Sequence, residues 1–162
     1  MEKYYFIDMD GTIAEWKKAE NEDVLKKPGY FRNLKPTKFV DPLRKFAMEH
    51  RGQVFILSKY LGECTALQDK DAWLDQYMPE IDKSARLFVP YEAEKVEYVC
   101  KSLGIPSLTE NMILFDDYSP NLHAWKNAGG TGIKCYNGIN GTKGTWKGDG
   151  AFTASEIIAK FS

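Results

Sequence analysis

Tyr4-Tyr5-Phe6-Ile7-Asp8-Met9-Asp10-Gly11-Thr12 is an apolar, β-type run that stops in two carboxylates one residue apart. In a strand, residues two apart point the same way, so Asp8 and Asp10 converge if extended geometry lasts to the end of the run. Gly11 then lets the chain turn away. Two carboxylates at one point repel unless a cation lies between them or one keeps a proton. The stretch implies a metal-bound acid site that handles phosphate. Asp and Gly also make plain turns after strands, so the rest of the chain has to decide. A calcium loop is excluded, because it carries Gly at its sixth position and here Gly11 follows the second Asp directly.

Outward from this run, apolar segments alternate with helical patterns. Lys3–Ile7 reads as a buried strand and Asp41–His50 as a helix with Leu43, Phe46 and Ala47 on one face. Val54–Leu57, Arg86–Val89, Met112–Phe115 and Gly132–Tyr136 are short runs of the kind found in buried parallel strands. Helices are expected over Ala66–Tyr77, Ala93–Leu103, Asn121–Ala128 and Ala154–Phe161, with stops at Pro79, Gly104 and Gly129. Such alternation predicts an α/β fold: a three-layer, Rossmann-like parallel sheet with helices on both faces. In these folds the site lies at the carboxyl ends of the strands, which points to Asp8, Ser58, Pro90 and Asp116. One domain over 1–162 is expected, with a small insertion at 13–40 beside the site. That insertion carries Trp16, Tyr30, Phe31 and Arg32. Asn137–Gly150, rich in Gly with Lys143, Trp146 and Lys147, reads as a cover or a solvated connector.

Bulk properties remove several classes. A net charge of −1 without a dense basic block argues against a polymeric nucleic acid partner, though not against a nucleotide as substrate. A hydrophobic share of 43% and a charged share of 28% fit an ordinary globular chain. No apolar run is long enough to span a membrane, and no signal peptide is visible. Cys64, Cys100 and Cys135 are far apart and form no zinc or redox pair, so buried thiols in a cytoplasmic setting are expected.

A second acidic pair, Asp116-Asp117, closes the run Ile113-Leu114-Phe115. Turn chemistry does not readily explain two such endings. Carboxylates at this density, without His or Cys, point to Mg²⁺ rather than zinc. Ser58 is positioned to hold a phosphate oxygen or to cap the next helix. Lys95 falls near a helix start, where a cation is unfavourable for the dipole unless it reaches an anion. Lys59 is a weaker candidate for that task. His50 and His123 fall at no strand end and read as bystanders; Leu122 and Trp125 read as helix packing.

Taken together, these residues resemble the haloacid dehalogenase-like hydrolases. The shared features are Asp8-Met9-Asp10-Gly11-Thr12, the strand Val54–Leu57 ending in Ser58, Lys95 ahead of the last acidic element, and Asp116-Asp117. Lys83 and Lys101 are alternatives to Lys95. Within that group the chain is most similar to the small 5′(3′)-deoxyribonucleotidases, through Pro28-Gly29-Tyr30-Phe31 and Asp116-Asp117-Tyr118-Ser119-Pro120-Asn121-Leu122. Those enzymes carry a larger helical cap than the short insertion seen here.

The resemblance implies a magnesium-dependent phosphate monoester hydrolase with Asp8 as nucleophile and Asp10 as acid and base. It implies Mg²⁺ held by Asp8, the Asp10 main-chain carbonyl and Asp116, and phosphate held by Ser58 and Lys95. Asp117 and Thr12 fall in supporting places, Asp117 steadying Lys95 or a metal-bound water. Trp16, Tyr30 and Phe31 are candidates to stack a base, with at least one of them expected to roof the core instead. The implied partner is a small phosphate monoester, a (deoxy)nucleoside monophosphate first and a sugar phosphate as the alternative. A phospho-accepting receiver module is a third reading, disfavoured because Asp10 lies where it can protonate a leaving group.

Overall fold

The computed structural model describes residues 1–137 and 146–161. In chain order the elements are β1 (Tyr4–Ile7), α1 (Glu22–Leu25), α2 (Val40–Glu49), β2 (Val54–Tyr60), α3 (Ala66–Tyr77), β3 (Arg86–Pro90), α4 (Lys95–Leu103), β4 (Met112–Asp116), α5 (Ser119–Asn127), β5 (Thr131–Cys135), β6 (Ala151–Phe152) and α6 (Ala154–Phe161). All six strands run parallel in the order β3-β2-β1-β4-β5-β6. This is the order of a doubly wound sheet.

Alternate side chains of the strands feed two cores. Tyr5, Ile7, Ile56, Ile113 and Phe115 face α2, α3 and α6 through Leu43, Phe46, Trp73, Leu74 and Ile157. Phe6, Leu57 and Leu114 face α4 and α5 through Val99, Leu122 and Trp125. Helices therefore cover both faces, as the continuous apolar runs imply. Burying a large side chain of this kind contributes about 1.5–3 kcal/mol, so the two layers fix the strand ends firmly. Leu122 and Trp125 are fully buried, and the Trp125 indole donates to the Met112 carbonyl at 2.9 Å. His50 stacks on Phe46 inside the first layer.

Several bounds differ from the sequence expectation. β2 runs on to Tyr60 because β3 pairs with it up to Tyr60 and Pro90. Ser58 therefore lies within a strand; α3 starts at Ala66, after Thr65, so Ser58 does not cap it. α1 and β6 carry too few residues to leave a periodic signal. Of the three thiols, Cys135 is buried while Cys64 and Cys100 are half-buried. Lys143 lies outside the described residues. No helix among the described residues is long and apolar enough to cross a membrane.

The chain turns out of β1 and comes back to the sheet only at α2. Between them, Thr37 donates its hydroxyl to the Thr12 carbonyl, and Glu15 and Lys35 are linked through their backbones. α3 braces the outer part of this segment. Asp69 accepts from the Gly29 amide at 2.8 Å, and the Trp73 indole donates to the Leu34 carbonyl at 2.8 Å.

Candidate active site

The direction of sheet growth reverses at β1, where β2 lies on one side and β4 on the other. In doubly wound sheets the crevice outside such a point is where ligands bind. Register determines what meets there. Ile7 pairs with Phe115, so Asp8 and Asp116 are the next residues on adjacent strands. The Asp8 amide still donates to the Phe115 carbonyl at 2.9 Å. Beyond Met9 the chain turns tightly: the amides of Thr12, Ile13 and Ala14 all reach the Met9 carbonyl. Gly11 sits at φ +84°, and a Cβ there would lie 2.2 Å from a carboxylate oxygen of Asp117. Glycine is required twice over, by the backbone and by the neighbour.

Asp8, Asp116 and Asp117 are buried, and each offers a carboxylate oxygen within 4.8 Å of the others. The Lys95 ammonium lies 2.7 Å from Asp8 Oδ1 and 3.3 Å from Asp116 Oδ2. Lys95 is the first residue of α4, and this pairing answers its unfavourable place at a helix N-terminus. Burial works against its charge, but Asp8 and Asp116 outweigh that and hold its pKa above the usual lysine value. Asn121 donates to Asp116 at 3.0 Å, and the Tyr118 amide donates to the same carboxylate at 2.9 Å. Thr12, fully buried, lies 3.2 Å from Asp8 Oδ2 and 3.1 Å from Asp117 Oδ1, and accepts from the Asp117 amide. Asn137 reaches both the Gly11 carbonyl and Asp117. The supporting contacts of Asp117 thus include Thr12 and Asn137, while Lys95 is placed against Asp8 and Asp116.

Three carboxylates face one ammonium. Burial, then the charge of Asp116, pushes the Asp8 pKa up to about 6 against the pull of Lys95. Burial, then Asp8 and Asp116, pushes Asp117 up to about 8. The cluster thus carries negative charge that its own lysine does not neutralise. An all-oxygen donor set whose three carboxylates, once ionised, exceed the single ammonium by two charges fits a hard divalent cation such as Mg²⁺.

Asp10 stands apart from this cluster. Its Oδ2 pairs with Lys70 at 2.7 Å, and its Oδ1 is buried without a hydrogen-bond partner. Lys70 also donates to Ser58 Oγ at 2.9 Å and to the Lys59 carbonyl at 2.7 Å, with the Phe31 ring 4.8 Å from its ammonium. Lys70 is 1% exposed and was not among the residues singled out from sequence. The signal was present: Ala66, Lys70, Trp73 and Tyr77 follow helical spacing, which sets a lysine in the middle of an otherwise apolar stripe.

Two cavities meet beside Asp10. One, of about 420 Å³, is lined by Asp8, Asp10, Trp16, Lys59, Lys95, Asp117, Tyr118 and Asn121. The other, of about 200 Å³, touches Asp10 and Lys70 and is walled mainly by aromatic and aliphatic side chains. Tyr30 and Trp16 line the second cavity with their rings partly open to water. Phe31 lines this cavity too, but is buried in the core with its ring against the Lys70 ammonium. Tyr91, just after β3, is 61% exposed at the same cavity and carried no signal in the sequence.

A solved HAD hydrolase of family IA, variant 3, from Entamoeba histolytica HM-1:IMSS superposes on 98% of this chain and 98% of its own with a TM-score of 0.62 at 15% identity. The chain has the haloacid dehalogenase hydrolase fold. A hydrolase from Pseudomonas syringae shares that fold over 85% of each chain, with a TM-score of 0.52 at 13% identity. In sequence, the chain is 30% identical over 86 residues to proteins named "Putative 5'(3')-deoxyribonucleotidase" from Staphylococcus aureus strains MSSA476 and MW2. The match covers 53% of this chain and 43% of those relatives, so it spans less than half of their length. No protein-family model matches the chain.

Proposed function

We propose that this chain is a magnesium-dependent phosphate monoester hydrolase working through an aspartyl-phosphate on Asp8, with nucleoside monophosphates as its substrates. The observation that carries the reading is the division of the carboxylates. Asp8, Asp116 and Asp117 form a buried cluster with surplus negative charge, while Asp10 is held apart by Lys70 with one oxygen free. That separation suits two different tasks for two neighbouring acids.

In the first step Asp8 attacks phosphorus and the ester oxygen departs with a proton from Asp10. Asp10 lines the cavity beside Asp8 and has one carboxylate oxygen not engaged by Lys70, so its carboxyl is the group that carries that proton. In the second step Asp10 takes a proton from water as the water attacks the aspartyl-phosphate, releasing inorganic phosphate and restoring Asp8. Ser58 and Lys95 offer one hydroxyl and one ammonium group to the phosphoryl oxygens, where charge develops, while Lys70 holds Asp10 and Ser58 in place. Thr12 keeps Asp8 and Asp117 in place. Mg²⁺, held by Asp8, Asp116 and the Asp10 main-chain carbonyl with Asp117 in reach, would supply the positive charge that lets a phosphate dianion approach.

The insertion at 13–40 is read as a small cap over the leaving group. Trp16 and Tyr30, joined by Tyr91 from the core, give that group aromatic walls, and a stacked base gains about 1–3 kcal/mol from such contacts. Flat aromatic faces suit a base better than a polyol, which favours nucleotides over sugar phosphates. Three free thiols accord with a cytoplasmic setting.

The test is phosphate release with and without Mg²⁺ from a panel of nucleoside monophosphates and sugar phosphates, for wild type and Asp8→Asn. The reading expects magnesium-dependent turnover that favours nucleotides and disappears in Asp8→Asn. Equal release by both proteins refutes the mechanism, and no preference for nucleotides removes the substrate assignment. Phosphoprotein that accumulates without turnover would point to a receiver instead.

A further inference from the structure

The smaller cavity is lined by Lys17 and Lys59 as well as Lys70. Lys70 is committed to Asp10 and Ser58. Lys17 and Lys59 have no carboxylate at ion-pair distance among the described residues. Among the described residues the only carboxylate in that wall is Asp10, and the remaining wall includes Trp16, Leu25, Tyr30, Tyr60, Leu61 and Tyr91. Lys59 is half-buried at the end of β2, where its backbone is fixed by pairing with Val89 and by the bond from Lys70.

Lys17 is exposed and Lys59 half-buried, so water screens part but not all of the cost of gathering ammonium groups around a cavity of about 200 Å³. An anion between them relieves that cost. It is not the phosphoryl group under attack, which belongs beside Asp8 in the larger cavity, where Lys59 and Lys95 contribute but Lys17 does not. Asp10 touches both cavities and serves the departing oxygen. The anion on the Lys17 side therefore belongs to the part of the substrate that leaves.

We propose that the smaller cavity is a second anion subsite and that the preferred substrate is a bisphosphorylated small molecule. This rests on the phosphomonoesterase reading given above. One phosphate is cleaved: its phosphoryl group passes to Asp8, the ester oxygen takes the Asp10 proton, and water later frees inorganic phosphate. The other phosphate, held by Lys17 and Lys59, leaves unchanged on the product.

The experiment compares each monophosphate with its bisphosphate. The pairs are a nucleoside 5′-monophosphate with the 3′,5′-bisphosphate of the same nucleoside, and a sugar monophosphate with its bisphosphate. The subsite predicts kcat/KM about tenfold or more higher for the bisphosphate, mostly through KM. Lys17→Glu and Lys59→Glu should collapse that ratio. Lys18→Glu makes the same charge change one residue away, on an exposed side chain outside the cavity lining, and should keep it. Calorimetric binding of the nucleoside bisphosphate and monophosphate to Asp8→Asn reads the same preference without turnover. Equal kcat/KM within the pairs, or equal loss of the ratio in Lys17→Glu and Lys18→Glu, overturns the subsite and leaves the phosphatase reading standing. No phosphate release from any ester overturns both.

Discussion

Thr12 has one hydroxyl proton and lies within hydrogen-bond distance of the carboxylates that follow β1 and β4, while its oxygen accepts from the Asp117 amide. Thr12→Val keeps the shape and leaves those buried groups short of a partner. It should cost about 1–3 kcal/mol of stability, read by urea unfolding. A cost near zero would mean that this hydroxyl joins nothing together. Gly11→Ala forces a Cβ against the Asp117 carboxylate at a positive φ. The variant should bind Mg²⁺ about tenfold or more weakly by calorimetry, which is a loss of about 1.4 kcal/mol; unchanged affinity would show that Asp117 moves aside freely. Lys70→Met should lower kcat about 100-fold, because a misplaced general acid costs about that much. A change confined to KM would assign Lys70 to binding alone. At this scale Asp8, Lys95 and Asp116 were legible because each stands at a strand end or a helix start, and Asp10 and Ser58 because they close or follow apolar runs. Lys70 was missed although it stands in the apolar stripe of α3; its partners, Asp10 and Ser58, are fixed only once α3 is packed. Asn137 and Tyr91 came from loops, where no period points inward.

β1 and β4 bring the acids together because a parallel register aligns Ile7 with Phe115. That much could be read from two apolar runs ending in Asp. The bounds of β2 could not, since pairing with β3, a long-range event, extends it to Tyr60. α1 and β6 were equally invisible, being too short to show a period. α3 matches its expected span and does more than cover the sheet. It presents Lys70 to the site and holds the insertion through Asp69 and Trp73. Asp69→Ala should free the Gly29 amide and the Thr65 hydroxyl together. Faster hydrogen exchange at Gly29, with a rise in KM, is the expected result. Unchanged exchange would mean that the insertion holds its own shape without α3.

The whole molecule is nearly neutral at a net charge of −1, yet its charge is unevenly placed, with surplus negative charge buried at the switch point. Asp8 and Asp117 both have raised pKa values, so without metal the folded protein keeps protons that the unfolded chain releases. That contribution to stability is complete below about pH 4 and is lost as pH rises through about 6 for Asp8 and about 8 for Asp117. With a chelator present, the thermal midpoint should fall between about pH 5 and about pH 8. Excess Mg²⁺ should raise it, and more so at the higher pH, because ligation needs the ionised acids. A midpoint that climbs over this range without metal would show that the acids are already neutralised within the protein. The claim on which the rest depends is that one divalent ion binds where β1 and β4 end. Anomalous diffraction from a Mn²⁺-soaked crystal tests it directly. The predicted result is a single strong peak within bonding distance of Asp8 and Asp116 oxygens; saturating Mn²⁺ with no peak there, or a peak only elsewhere on the protein, would contradict it.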